Sequence, residues 1–214
     1  MPNDIHSPSP SASSSNKTTN DDKPAITLDF FGPFKFIKGE NYLYHSEHAG
    51  KEGIYIWTIK DEKNNLNYVH YIGETTAFGK RQREHFIHIT GLNYRIIDPD
   101  AARNGIEKII WNGLWRDRSP NAIATLLDNY DQSTKKVKEY IGLINIYFSP
   151  TTLEKHLRRH IEGCIGWNFR NNYPNLKTFY PDDNRVGPRL EPLGQKLIVN
   201  LPEAIAGIDK EQII

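Results

Sequence analysis

The feature that most constrains the fold is a pair of β-rich runs separated by a short polar stretch. These segments are GIYIWTIK (53–60), DEKNN (61–65) and LNYVHYIG (66–73). Two runs rich in β-branched and aromatic residues, joined by a short polar loop, are typical of a β-hairpin. The period of two places Tyr55, Trp57 and Ile59 on one face of the first strand. Whether Tyr71 shares that face depends on the register, which the sequence leaves open.

The residues after the hairpin predict a helix that carries an arginine and a histidine on one face. The helix is expected to begin after Thr75 or Thr76, whose hydroxyl groups can cap it, and to end at Gly91. Arg81 and His85 are four residues apart on this helix, so their side chains project from the same face.

A third strand and a long helix are predicted further along the chain. Residues 140–148, YIGLINIYF, are typical of a strand. Ser149 and Pro150 then have the residue types of an N-cap and a first helical position. The helix that follows carries one apolar stripe that should pack on the sheet, formed by Leu153, Leu157, Ile161, Cys164 and Ile165.

The segment between the first helix and the third strand, about 91–137, is predicted to be an insertion. Within it, Ile106, Ile110 and Leu114 recur every four residues, which indicates an amphipathic helix over 105–115. A second, shorter helix is predicted at 121–130.

The two ends of the chain differ from the middle in composition. Residues 1–25 are dominated by serine, proline, asparagine and charge, which predicts a disordered leader. Residues 26–50 are predicted to be an N-terminal extension, and 176–214 a C-terminal extension with DNA contacts. Within the latter, we expect a short strand at 197–201 and a helical turn at 202–208.

Composition bounds the function classes only loosely. The formal net charge is +1, so any nucleic-acid surface has to be local. Cys164 is the only cysteine, which excludes an intrachain disulfide and fits a reducing compartment. The chain has no apolar run long enough to span a membrane and no apolar signal segment at its start. A cytoplasmic protein without membrane contact is therefore expected.

The motifs together resemble those of the GIY-YIG nuclease family. GIY stands at 53–55 and YIG at 71–73, Arg81 and His85 follow on a helix, and Glu162 follows a third strand. The resemblance covers a core of about 51–175 and implies an α+β fold. That fold is a small three-stranded antiparallel sheet flanked by helices, here with a helical insertion and a C-terminal extension. The resemblance also implies phosphodiester hydrolysis with one divalent metal, Mg²⁺ or alternatively Mn²⁺, in each active site.

The resemblance also implies a role for each motif residue. Tyr55 would activate or orient the attacking water, and Tyr71 would line the site. Arg81 would stabilise charge in the transition state, because a guanidinium can bridge two phosphate oxygens. His85 would transfer a proton or hold a phosphate. Glu162 would bind the metal, because hard cations prefer carboxylate oxygen.

Other interpretations of these residues stay open at this stage. His85 is equally compatible with a solvated position on the helix surface. Glu162 could form an ion pair with Arg158 or Arg159 on its own helix. The family also carries an asparagine beyond the glutamate, for which the candidates are Asn172 and Asn175.

Two further spacings are suggestive but have ordinary explanations. His156 and His160 are four residues apart, as zinc ligands can be, but the glutamate of a zinc-protease motif is absent. Trp111 and Trp115 are also four apart, and core packing is the more common use of such a pair than stacking on bases.

DNA contacts are expected from basic residues around the motifs, and ordinary surface charge is the alternative explanation. The candidates are Lys80, Arg83, Arg103, Arg116, Arg185 and Arg189. The preferred function is a type II restriction enzyme that cuts duplex DNA at a specific site, with a homodimer as an open alternative to a monomer. A repair or mobile-element nuclease, a non-catalytic nucleic-acid-binding module, and an interaction protein with accidental motifs are the competing interpretations.

Overall fold

The computed structural model describes residues 23–176, 178–180 and 187–214, so nearly all of the predicted leader lies outside it. The described strands are β1 (Ile26–Asp29), β2 (Phe31–Phe34), β3 (Gly53–Asp61), β4 (Leu66–Thr75), β5 (Ile96–Ile97), β6 (Ile109–Trp111), β7 (Ile144–Pro150), β8 (Lys196–Asn200), β9 (Ile205–Ala206) and β10 (Glu211–Ile213). The described α-helices are α1 (Phe78–Thr90), α2 (Pro99–Ala102), α3 (Pro120–Asp128), α4 (Tyr130–Leu143) and α5 (Lys155–Asn172). The α+β class is thereby confirmed.

The central sheet has five strands in the order β2-β7-β3-β4-β9, not the three that were predicted. The expected strands β7, β3 and β4 are antiparallel neighbours in its centre. The edge strand β2 comes from the predicted N-terminal extension and pairs with β7. The other edge strand, β9, replaces the predicted helical turn, because Ile205 and Ala206 pair in parallel with Asn67 and Tyr68.

The register of the hairpin determines whether Tyr55 and Tyr71 lie on the same face of the sheet. Tyr55 stands opposite Gly73, and Trp57 opposite Tyr71. Tyr55 and Tyr71 therefore lie on the same face, with their ring centroids 5.9 Å apart. This face packs against α1, whose Phe78 and Ile89 belong to the same buried cluster.

The opposite face of the sheet is covered by α5. The stripe predicted for this helix packs as expected: Ile161, Cys164 and Ile165 are buried in the cluster with the strand residues, and Leu153 and Leu157 pack at its margin. The predicted N-cap at Ser149 and Pro150 is wrong, because β7 continues through both residues in its pairing with β3. The helix begins only at Lys155.

The helices of the insertion lie only partly where they were predicted. The helix expected at 105–115 is wrong, because Ile109–Trp111 forms strand β6 and pairs with β5. Helix α3 confirms the prediction at 121–130. Helix α4 then runs to Leu143, which shortens the N-terminal end of the predicted third strand. Among the described residues, none of the helices combines the length and the hydrophobicity of a membrane-spanning segment.

A second sheet joins the two extensions. Its order is β1-β8-β10, with β8 parallel to β1 and antiparallel to β10. The strand predicted at 197–201 is thereby confirmed with a shift of one residue. Asn168 of α5 donates a hydrogen bond to Gln212 at 2.9 Å, and Tyr173 donates one to Asp209. The C-terminal segment therefore holds α5 in place.

The glycine of the second motif is required by a close approach of two strands. A Cβ atom at Gly73 would lie 2.4 Å from both the ring and the hydroxyl of Tyr55. The Tyr55 side chain is fully buried and stacked on Tyr71, so it has no room to move.

Gly73→Ala is therefore expected to destabilise the fold by roughly 1–3 kcal/mol, the usual cost of overpacking a buried site. Urea unfolding monitored by circular dichroism measures this difference. Gly50→Ala is the matched control, because a Cβ at Gly50 meets nothing within 4 Å. Equal stability of the two variants would contradict the tight contact between Gly73 and Tyr55.

Candidate active site

One cleft of about 440 Å³ opens between β4, the start of α1 and one side of α5. Four of the five residues predicted to be catalytic line it, together with two of the predicted DNA-binding residues: Tyr55, Tyr71, Arg81, Glu162, Lys80 and Arg189. The fifth, His85, is buried and does not line the cleft, but its side chain contacts the Tyr55 hydroxyl. The sheet supplies the tyrosines, α1 supplies Lys80 and Arg81, and α5 supplies Glu162.

A chain of hydrogen bonds leads from the cleft into the protein. The Tyr55 hydroxyl is 2.7 Å from Nε2 of His85, and Nδ1 of His85 is 3.0 Å from the Tyr94 hydroxyl. His85 is 1% exposed, so its interpretation as a helix-surface histidine does not hold. Burial, and then the nearby charge of Arg81, lowers the pKa of His85 well below its ordinary value. The imidazole is therefore neutral, with one nitrogen as donor and the other as acceptor.

The two motif tyrosines are also neutral in the resting site. Burial raises the pKa of Tyr55 well above its ordinary value, and the neighbouring Tyr71 adds to this effect. The positive charge of Arg81 opposes the rise for both tyrosines. Arg81 itself is partly exposed and forms a 2.9 Å ion pair with Glu84. Its guanidinium therefore keeps a fixed positive charge near the two tyrosine hydroxyls.

Glu162 is a nearly buried carboxylate without an ion pair among the described residues. Its two neighbours on α5 pair elsewhere: Arg158 lies 2.6 Å from Glu52, and Arg159 lies 3.2 Å from Glu74. Burial raises the pKa of Glu162 to about 7, and the charge of Arg189 only partly offsets this. A buried carboxylate that lacks a cation is suited to bind one.

The cleft also contains functional candidates that the sequence analysis missed. Glu74 directly follows the second motif and lines the cleft, with its side chain 10% exposed. Arg159 lies three residues before Glu162 on the same helix face and also lines the cleft. The helical spacing could have identified Arg159. Tyr94, which ends the hydrogen-bond chain, carries no local signal, because it reaches His85 from a loop of the insertion.

Three of the remaining DNA-binding candidates lie outside the cleft. Arg103 pairs with Asp100 at 2.9 Å and is 3.8 Å from Glu62. Arg83 is exposed on α1 but does not line the cleft, and Arg116 lines a neighbouring cavity. The position predicted for Arg185 lies outside the described residues.

The asparagine candidates and the two histidines of α5 do not add to the cleft. Asn172 and Asn175 are both exposed and do not line the cleft. His156 is exposed beside Glu154, whereas His160 is fully buried. Across the described residues, no group of three or more histidine, cysteine, aspartate or glutamate side chains is arranged to hold a metal ion. A cation here would therefore depend on one or two carboxylates, with water and substrate oxygens completing its coordination.

No protein-family model matches the chain, and comparisons with curated proteins and with solved structures also find no match. The similarity to GIY-YIG nucleases accordingly rests on the motif residues themselves.

Proposed function

We propose that this chain is a metal-dependent endonuclease that hydrolyses phosphodiester bonds in duplex DNA. The observation that carries the proposal is the convergence of Tyr55, Arg81 and Glu162 on one cleft. These residues come from a strand, from the helix after the hairpin and from α5, so their meeting depends on the tertiary fold. Hydrolysis of a phosphodiester needs a proton acceptor for water, a positive charge for the phosphate and a site for a cation, and this set supplies all three.

The hydrogen-bond chain gives Tyr55 a way to act while it remains neutral. When its hydroxyl donates to Nε2 of His85, the oxygen keeps a lone pair for a water molecule in the cleft. As the water oxygen bonds to phosphorus, the bond from phosphorus to the leaving oxygen breaks, and the leaving oxygen takes a proton from solvent. The proton of the attacking water passes to Tyr55, and the Tyr55 proton passes to His85. Nδ1–H of His85 then donates to Tyr94, which helps to stabilise the imidazolium that forms.

The charged side chains of the cleft fit an anionic substrate. Arg81 would hold two phosphate oxygens, and Lys80 and Arg189 would contact the phosphates on either side. Glu162, with Glu74 beside it, would hold a divalent cation such as Mg²⁺ or Mn²⁺. When bound there, such a cation supplies Lewis acidity and stabilises the leaving oxygen.

The test is cleavage of a mixed panel of plasmid and phage DNA in Mg²⁺ or in EDTA. We expect cleavage in Mg²⁺ only, and a loss of roughly 10²–10³-fold in rate for Arg81→Ala, because a preorganised positive charge is removed. Lys60→Ala, which removes an exposed cation from the strand that carries Tyr55, should cleave like the original chain.

The pattern of products decides between versions of the proposal. Discrete fragments would support a type II restriction enzyme, which is the version we prefer. Diffuse metal-dependent nicking would support a repair or mobile-element nuclease. DNA binding without any cleavage would replace the proposal with a non-catalytic binding module.

A further inference from the structure

A second cavity of about 380 Å³ adjoins the cleft and shares two residues with it, Tyr71 and Arg81. We call it the aromatic pocket, because the rings of Trp57, Tyr71, Tyr94 and Trp115 line it. Its volume lies within the range of about 300–1,000 Å³ that is usual for small-molecule sites. The proposed cleavage reaction takes place in the neighbouring cleft and does not use the space of this pocket.

Trp115 forms the exposed side of the aromatic pocket. It is 51% exposed, whereas Trp111, the other tryptophan of the pair, is buried and donates a 2.7 Å hydrogen bond to the Leu92 carbonyl. The Trp115 ring rests on His88 and Tyr94, with centroid distances of 4.3 and 5.2 Å. An exposed indole that neighbouring rings hold in place presents a ready surface for stacking.

The loop that carries Trp115 is fixed to the rest of the insertion. The amide of Trp115 donates to the Asn93 carbonyl at 3.2 Å, and the amide of Leu114 donates to the Leu92 carbonyl at 3.1 Å. Gly113 adopts a φ of +88°, and a Cβ there would lie 2.6 Å from the Asn93 carbonyl oxygen. The position of the indole is therefore set by the backbone, which limits the entropy lost when a ligand stacks on it.

The polar groups of the aromatic pocket fit a nucleobase. The amides of Asn93 and Asn112 each offer a donor and an acceptor, the combination that pairs with base edges. Arg81 and Arg116 add positive charge, and the described lining includes no aspartate or glutamate. Flat rings, amides and cationic side chains, in a described lining that holds no carboxylate, suit an uncharged aromatic base attached to a phosphate chain.

We propose that the aromatic pocket holds one unstacked nucleobase from the DNA strand whose phosphate lies in the cleft. The inference rests on the proposed function and adds that one base near the cut leaves the helical stack. The shared wall of Tyr71 and Arg81 places the pocket directly beside the phosphate site. A base that is already unpaired enters at lower cost than a paired one, because less stacking and pairing is lost.

The test compares three fluorescein-labelled duplexes that differ at one central nucleotide, which is a paired adenine, an unpaired adenine or an unpaired abasic residue. Binding is measured by fluorescence anisotropy in EDTA, so that cleavage does not interfere. We expect the unpaired adenine to bind about tenfold more tightly than the abasic residue, the scale of one base–aromatic stack. Trp115→Ala should remove this difference, Trp115→Phe should retain most of it, and Lys60→Ala should leave it unchanged.

Equal binding of the adenine and abasic duplexes, or a preference that survives in Trp115→Ala, would overturn the inference. A parallel Mg²⁺ cleavage assay separates it from the proposed function. Cleavage without a preference for the unpaired base refutes the pocket alone. A binding preference without cleavage refutes the nuclease alone, and failure to bind any duplex contradicts both.

Discussion

Glu162→Gln is expected to abolish metal-dependent cleavage and, in EDTA, to stabilise the folded chain at neutral pH. The loss of activity follows from removal of the carboxylate that would hold the cation. The gain in stability follows from burial, which raises the pKa of Glu162 from its ordinary value of 4.5 to about 7. A shift of this size corresponds to roughly 3 kcal/mol, because one pKa unit is about 1.4 kcal/mol.

The stabilisation of the fold by Glu162→Gln is expected to depend on pH. Below about pH 4.5 the carboxyl group is protonated in both the folded and the unfolded chain, so it causes no penalty. Between about pH 4.5 and 7 the unfolded chain releases the proton more readily, and the penalty of the folded state grows with pH. Above pH 7 the penalty is constant. The stabilisation by Glu162→Gln should therefore appear across this window and then level off.

Urea unfolding in EDTA at a series of pH values from 4 to 8 measures the difference in free energy of unfolding. Glu139→Gln is the matched control, because the Glu139 side chain is 48% exposed and lies 3.5 Å from Lys136 on the surface. It should change stability little at any pH. If Glu162→Gln were less stable than the original chain at pH 8, the carboxylate would have to be paired in the folded state.

Tyr55→Phe is expected to reduce cleavage by roughly 10²–10⁴-fold, the usual contribution of a positioned acid or base. The phenyl ring fills the same buried space, but the hydroxyl that links the cleft to His85 is lost. His85 also loses a hydrogen-bond partner, so a fall of about 1–2 kcal/mol in stability should accompany the change. Single-turnover cleavage in Mg²⁺, with urea unfolding in parallel, separates these two effects.

Tyr147→Phe provides the control for this prediction. Tyr147 is also fully buried and also donates its hydroxyl proton, but to Glu203, and neither of these two residues lines the cleft. It should lose a comparable amount of stability and retain its cleavage rate. A similar loss of cleavage in both variants would mean that Tyr55 acts only through the fold.

Local sequence patterns were sufficient for the parts of the fold in which neighbouring residues determine the structure. The hairpin followed from the alternation around Tyr55 and Trp57, and α5 followed from its apolar stripe. The side of the sheet on which Tyr71 lies could not be predicted from these patterns, because it depends on the cross-strand register. The N-cap expected at Ser149 failed because pairing of β7 with β3 extends the strand past a local stop signal.

The edge strands and part of the site depended on contacts between residues distant in sequence. Strand β9 forms because Ile205 pairs with Asn67, a partner far away in the chain. Tyr94 similarly reaches His85 from the insertion. In contrast, the resemblance to a known family implied that Tyr55, Arg81 and Glu162 would lie in one site, and all three side chains line one cleft in the structure.

The attachment of α5 to the C-terminal segment bears on when activity can arise during synthesis. Asn168 and Tyr173 bond to Gln212 and Asp209, and Phe169 packs against Gly207. A ribosome makes these partners well after the helix itself, and domains generally fold once their segments have emerged. A nascent chain therefore carries Glu162 on a helix that still lacks its contacts with the C-terminal segment. If the chain cuts DNA as proposed, the active site reaches its final form only after the ribosome has translated the C-terminal segment.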